Sequence, residues 1–175
     1  MAAIDFMTVF GRLLRDGAMR DAFAANPHAL VAQLNLRESD CAALAQLIPA
    51  DLEFQACVLI RKRLDIVRRI IPETCRALDA EMWPVFKAYA RTTWPTSGQS
   101  AAYDAHGFCR HLQQHQPDAL CEAELNRLRF ALSRCRFALH FIRRECTRNE
   151  SKPALQVFWR SGQRCWREMT FYFKL

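Results

Sequence analysis

CRFALHFIRRECTRNESKPALQVFWRSGQRCWREMTFYFKL, residues 135–175, is the stretch on which the fold turns. Its first part alternates Cys135, Phe137, Leu139 and Phe141 with Arg136, Ala138, His140 and Ile142. A period of two is the mark of a strand, whose successive side chains point to opposite faces. After a polar loop, Leu155, Val157 and Trp159 alternate with Gln156, Phe158 and Arg160. Ser161-Gly162-Gln163 supplies a hairpin turn. Beyond it Cys165, Arg167, Met169, Phe171 and Phe173 alternate with Trp166, Glu168, Thr170 and Tyr172. The spacing predicts a three-stranded antiparallel meander.

Everything upstream has the helical period instead. Ile4, Phe6, Phe10, Leu13 and Leu14 mark a first amphipathic helix ending near Gly17, and a short helix follows over 18–25. Asn26-Pro27 reads as an N-cap and an N1 proline opening a helix to Leu34. Ser39 or Asp40 is the expected cap of the next, over 41–47. A long helix is expected over 51–70, with Cys57, Ile60, Leu64, Val67 and Ile71 as its stripe and Phe54, Val58 and Leu59 widening it. Pro72 restarts the chain, and Pro84 implies a break or kink inside a helix over 74–93. Trp94-Pro95-Thr96-Ser97-Gly98 reads as a loop, 101–114 as a further helix, and Asp118 as the start of the last one. The expected fold is α+β. A multi-helix body occupies 1–116; a helix and a small C-terminal three-stranded antiparallel sheet occupy 117–175.

The charge changes where the period changes. Residues 1–126 carry 13 Lys/Arg against 15 Asp/Glu; residues 127–175 carry 12 against 3. The formal excess of +7 therefore lies in the tail. A basic, aromatic sheet on a near-neutral helical body points to a docking surface. Asp5 interrupts the start, so no signal peptide is expected, and no run is apolar for long enough to cross a bilayer. The expected location is cytoplasmic, without membrane contact. The eight cysteines include no C-x-x-C pair, so reduced and mostly buried thiols are expected.

No catalytic constellation stands out. The chain has neither G-x-S-x-G nor a phosphate loop, and its five glycines do not make a nucleotide cradle. His111 and His115 share a helix face at i, i+4, but without the Glu of H-E-x-x-H they read as a solvated helix end, and no metal site is expected. His28 and His106 sit beside turns; His140, in a strand between arginines, could titrate near neutrality. Arg61, Lys62, Arg63, Arg68 and Arg69 read as a solvated surface, with Arg61 and Asp65 spaced to pair.

An open sheet has two edges with unpaired backbone groups, and an edge can capture another strand. Met169, Thr170, Phe171, Tyr172 and Phe173 form the candidate peptide-binding edge. The strand starting near Ala154 stands second. The bland alternative is that Phe171 and Phe173 seal the sheet against the helices. Arg136, His140, Trp159, Arg160 and Trp166 have the composition of an interface hot spot and are the candidate partner contacts. A basic nucleic-acid-binding module is the alternative reading, since exposed aromatics among cations can stack bases. The RNP pattern is absent, so nucleic acid is the less favoured partner.

Residues 53–95 carry more than periodicity. Lys62-Arg63, Ile71-Pro72-x-Thr74, Phe86-x-x-Tyr89-Ala90 and Trp94-Pro95, with Phe23-x-x-Asn26-Pro27 upstream, resemble the MbnC-like partner subunits of multinuclear iron oxygenases that modify ribosomally made peptides. The resemblance spans most of 1–115 and the tail more loosely. It implies pairing with an MbnB-like iron-containing enzyme and binding of a precursor peptide. It further implies, in methanobactin biosynthesis, oxidation of peptide cysteine to an oxazolone with a neighbouring thioamide. The iron would sit in the partner, with no cofactor in this chain.

Overall fold

Asp5, Asp16 and Asn26 each stop one stretch of chain and start a helix. Their side-chain oxygens accept from Thr8 N at 2.8 Å, Met19 N at 3.0 Å and Ala29 N at 3.0 Å. Each bond satisfies a backbone donor that the first turn leaves open. The computed structural model describes residues 4–95, 100–147, 150–162 and 165–173, without the side chains of Ser100 and of 143–152. Its first helices are α1 (Phe6–Arg15), α2 (Gly17–Ala25), α3 (Pro27–Ala32) and α4 (Glu38–Ala45). Val9, Leu13, Phe23, Val31, Leu44 and Leu52 form their core. Gly17 is required by proximity: a Cβ there would lie 2.8 Å from the Arg91 carbonyl oxygen.

Helix α4 begins before the expected caps. Arg37 precedes it without a side-chain cap, and Ser39 and Asp40 lie inside the first turn. Helix α5 (Pro49–Ile70) buries Leu52, Ala56, Ile60, Leu64 and Val67. The stripe thus extends through Ala56 rather than Cys57, and Phe54 is exposed. The expected break inside the next helix occurs, but ahead of Pro84: α6 (Pro72–Leu78) passes into a 3₁₀ turn over Asp79–Glu81, and α7 (Met82–Thr92) follows. Asp79 adopts φ 43°, a left-handed conformation that ends an α-helix, while Pro84 sits in the first turn of α7, where its missing N–H costs nothing.

Helix α8 (Ser100–His115) is followed by a 3₁₀ turn over Pro117–Ala119 and by α9 (Glu122–Leu132). Asp118 belongs to the turn, so the last helix starts four residues later than expected. Residues 96–98 of the expected loop lie outside the described residues. Contacts gather the chain into two units: Met1–Leu64 with Trp83–Trp94, and Asp65–Met82 with Pro95–Leu175.

In the second unit the carboxylate of Glu124 on α9 accepts from Glu73 N and Thr74 N, both at 2.8 Å. It caps α6 from another helix, replacing the missing local cap. Thr74 Oγ1 in turn accepts from Cys121 N at 3.1 Å. Three strands follow: β1 (Phe137–Thr147), β2 (Glu150–Arg160) and β3 (Trp166–Tyr172), antiparallel in the order β1-β2-β3. The chain is α+β, a helical N-terminal body followed by a C-terminal three-stranded sheet. The polar segment after Ile142, expected as a loop, continues both strands, with Glu145, Cys146 and Thr147 opposite Lys152, Ser151 and Glu150. Register shifts between Ile142 and Glu145. Gln163, the last residue of the expected β2–β3 turn, lies outside the described residues.

Candidate functional site

Register decides what the sheet presents. Phe137, Trp159 and Arg167 form one row across it; Leu139, Val157 and Met169 the next; Phe141, Leu155 and Phe171 the third. All share one face, because strand neighbours point the same way and positions two apart repeat the direction. The opposite face carries Ala138, Phe158 and Glu168, then His140, Gln156 and Thr170, then Ile142, Ala154 and Tyr172.

The polar face is the inner one. Ala154, Gln156 and Phe158 are buried. Asn126 Nδ2 donates to Gln156 Oε1 at 3.1 Å, and Gln156 Nε2 donates to Ala123 O at 3.3 Å and Glu168 Oε1 at 2.8 Å. Arg127 Nε closes the chain on Glu168 Oε2 at 2.7 Å. The Phe130 and Phe158 rings stack at 5.1 Å, and Trp166 meets both edge-on or tilted, at 5.9 and 5.8 Å. Buried amides and carboxylates are tolerated because each finds a partner.

The outer face is the apolar one. Phe137, Leu139 and Phe141 are 57, 55 and 62% exposed, and Met169, Phe171 and Phe173 are 48, 48 and 43% exposed. Six such side chains, about half exposed, present on the order of 600 Å² of apolar surface, at the upper end of what an isolated monomer shows. Phe171 and Phe173 therefore do not seal the sheet against helices; they face away from α9.

The backbone pattern settles the edges. Phe173 N donates to Pro153 O and Ser161 N to Cys165 O, both at 3.1 Å, so odd-numbered residues of β3 bond β2. Antiparallel bonding alternates, which turns the N–H and C=O of Trp166, Glu168, Thr170 and Tyr172 to the free edge. Arg160 N donates to Arg136 O at 2.9 Å, which by the same rule turns the backbones of Phe137, Leu139 and Phe141 outward on β1. Strand β2, which contains Ala154, is central and paired on both sides, so the second candidate edge is not an edge.

The candidate residues divide accordingly. Met169, Phe171 and Phe173 lie on the outer face; Thr170 and Tyr172 share the inner parity, Tyr172 still 53% exposed, and turn their backbones to the edge. Of the five candidate partner contacts only Trp159 is on the outer face. Arg136, His140, Arg160 and Trp166 share the inner parity. The His140 imidazole packs 5.9 Å from Phe158; burial first, and the charge of Arg129 second, lower its pKa and favour the neutral ring. Phe137, Leu139, Phe141, Leu155 and Val157 were visible in the alternation, but nothing local said that they face outward.

Elsewhere, His115 Nδ1 lies 2.8 Å from the carbonyl oxygen of His111, the rings stack at 4.2 Å, and burial lowers the His111 pKa. No cluster of His, Cys, Asp or Glu with metal-holding geometry occurs among the described residues. Of the seven cysteines described as free thiols, Cys109 and Cys121 are buried, Cys41, Cys57 and Cys75 partly so, and Cys135 and Cys165 exposed, so burial is less general than expected. Asp65 approaches Arg68 at 4.0 Å, while Arg61 stacks over Trp83 at 4.8 Å. In the first unit Glu53 receives Arg20 Nε at 2.9 Å, Arg91 Nη1 at 2.8 Å and Lys87 Nζ at 3.2 Å.

Residues 40–114 match the family model described as SCO6045-like, C-terminal domain. The match runs from α4 through nearly all of α8 and stops before the sheet. It contains the stretch 53–95 singled out in the sequence. Comparison with curated proteins and with solved structures returns no match. No single helix among the described residues is long and apolar enough to cross a membrane.

Proposed function

We propose that this chain is an accessory, peptide-binding subunit of a heteromeric iron-dependent oxidase of the MbnC-like kind. Its partner is an MbnB-like iron-containing enzyme, and the substrate is a precursor peptide whose cysteine becomes an oxazolone with a neighbouring thioamide. The assembly works in the cytoplasm, and the iron belongs to the partner.

The observation that carries this reading is the free edge of β3 beside an apolar outer face. A peptide entering as a fourth strand would meet the backbone groups of Trp166, Glu168, Thr170 and Tyr172, which set its register. The large subunit would cover the apolar rows. A standard interface buries about 800 Å² per partner, and the outer face alone reaches most of that. A second copy is a poor occupant, because residues 127–175 carry 12 Lys/Arg against 3 Asp/Glu and two such tails repel. Nucleic acid is disfavoured on the same face, where Arg167 is the one cation in three rows of apolar side chains.

Co-expression with an MbnB-like iron oxidase tests the proposal. The two chains are expected to co-purify as a heteromer, bind the precursor peptide together and carry iron only in the larger chain. Failure to associate, or a full equivalent of iron in the isolated subunit, overturns it.

A further inference from the structure

A cavity of about 490 Å³ opens beside the β2–β3 turn, lined by Ser133, Arg134, Arg136, Arg160 and Gly162. Among the described residues that line it, three carry guanidinium groups and none a carboxylate. Arg160 is held in place: Nε donates to Cys135 O at 2.9 Å, and Nη2 to Phe130 O at 2.9 Å and Ser133 O at 2.8 Å. Its guanidinium also lies over the Phe130 ring, 5.0 Å from the centroid. Those bonds engage Nε and both hydrogens of Nη2, leaving Nη1 as the open end. Among the described residues its Nη1 has no hydrogen-bond partner. Arg134 and Arg136 are exposed and, among the described residues, in no ion pair. One fixed cation and two longer-reaching ones around an open space form an incomplete site. A planar anion completes it, because the guanidinium forks of Arg134 and Arg136 match the two oxygens of a carboxylate and Arg160 adds its Nη1.

We propose that this cavity is a carboxylate-binding site. Resting on the reading of the chain as a peptide-binding subunit, the carboxylate is an acidic side chain of the docked peptide, which anchors one end of it. The alternative anion, the phosphodiester of a nucleic acid, needs cations repeated along a track. Among the described residues that line the cavity the cations are Arg134, Arg136 and Arg160, clustered around one opening rather than spaced along a track. Such a cluster fits a single carboxylate better than a polyanion.

The test uses the full chain and the Nε–H signals of its arginines, with N-acetyl-aspartate, inorganic phosphate and a single-stranded oligonucleotide as probes. N-acetyl-aspartate is expected to shift Arg160 saturably, while Arg61, an exposed control, responds weakly and linearly. The double variant R134Q/R136Q, both exposed side chains, should weaken binding at least about fivefold. Arg160 is left intact because it also holds the end of α9. Equal responses at Arg160 and Arg61, or unchanged binding in the double variant, overturn the site. Tighter binding of the oligonucleotide than of the carboxylate, lost in the same variant, reassigns it to phosphodiester and overturns the proposal. Precursor peptide is then added as competitor. If N-acetyl-aspartate binds and the peptide does not displace it, the carboxylate site stands and the peptide reading fails.

Discussion

Asn126 on α9 and Gln156 on the central strand are hydrogen-bonded at 3.1 Å, and both side chains are buried. That single bond orients the sheet: the strand faces carrying amide, carboxylate and hydroxyl go in, and the faces carrying phenylalanine, leucine and methionine go out. Gln156→Ala should therefore cost about 2–4 kcal/mol, since it strands Asn126 and leaves the Ala123 carbonyl and Glu168 short of a donor. Met169→Ser on the outer face should cost less than about 0.5 kcal/mol. Urea denaturation of both variants checks this, and comparable losses would mean that the faces are assigned the wrong way round.

The free edge of β3 makes a second prediction. Thr170→Pro removes an N–H that points away from β2, and proline is tolerated at such a position. The variant should fold with unchanged circular dichroism and bind precursor peptide about 3- to 10-fold more weakly, the worth of one hydrogen bond. Anisotropy titration with labelled peptide reads it out. Unchanged affinity would move the docking site to the β1 edge.

Glu53 gives the first unit a pH dependence. Burial pushes its carboxyl up, but hydrogen bonds from Arg20 and Lys87 and the charges of Arg20 and Arg91 outweigh this and bring the pKa from 4.5 to about 2. A lowered carboxylate pKa contributes stability that is present above the unfolded value and lost as pH falls from about 4.5 through about 2. Glu53→Gln should lose about 1–2 kcal/mol at pH 7, less than for a fully buried pair because Glu53 is partly solvated. Melting curves across pH should show the gap between wild type and variant closing towards pH 2. A constant gap would count against this network.

Thiol reactivity separates the cysteines. Burial first, reinforced by the Glu124 charge, pushes Cys109 up to about 12, and burial takes Cys75 and Cys121 to about 11. A thiol raised from 9.0 keeps its proton in the fold, so native stability should fall as pH rises above about 9. At pH 8 iodoacetamide should modify the exposed Cys135 and Cys165 within minutes and Cys109 only on unfolding. Peptide mass mapping distinguishes them; early labelling of Cys109 would contradict its packing.

The helical start at Asn26 and the strands at 137–142 and 166–172 were legible, because caps and periods act within a few residues; the caps at Asp5 and Asp16 were not singled out. Pro84 signalled a break within 74–93 but not its place at Asp79, since nothing in the neighbouring residues signals that one residue turns left-handed there. Nor was the cap of α6 by Glu124, some fifty residues downstream, legible, since only packing brings a carboxylate to those two amides.

The sequence by itself determined that the tail holds three alternating strands, that its charge is basic, and that its residues sort into two sets by parity. Alternation is symmetric with respect to which set is buried: the pattern of β1 is the same whichever face meets a helix. Tertiary structure broke that symmetry. Asn126 and Arg127 on α9 pair with Gln156 and Glu168 and pull the polar set inward, and register aligns the odd-numbered residues of all three strands into one exposed apolar face. Strand order, too, came only from the fold, because pairing β2 on both sides is what leaves β3 its free edge.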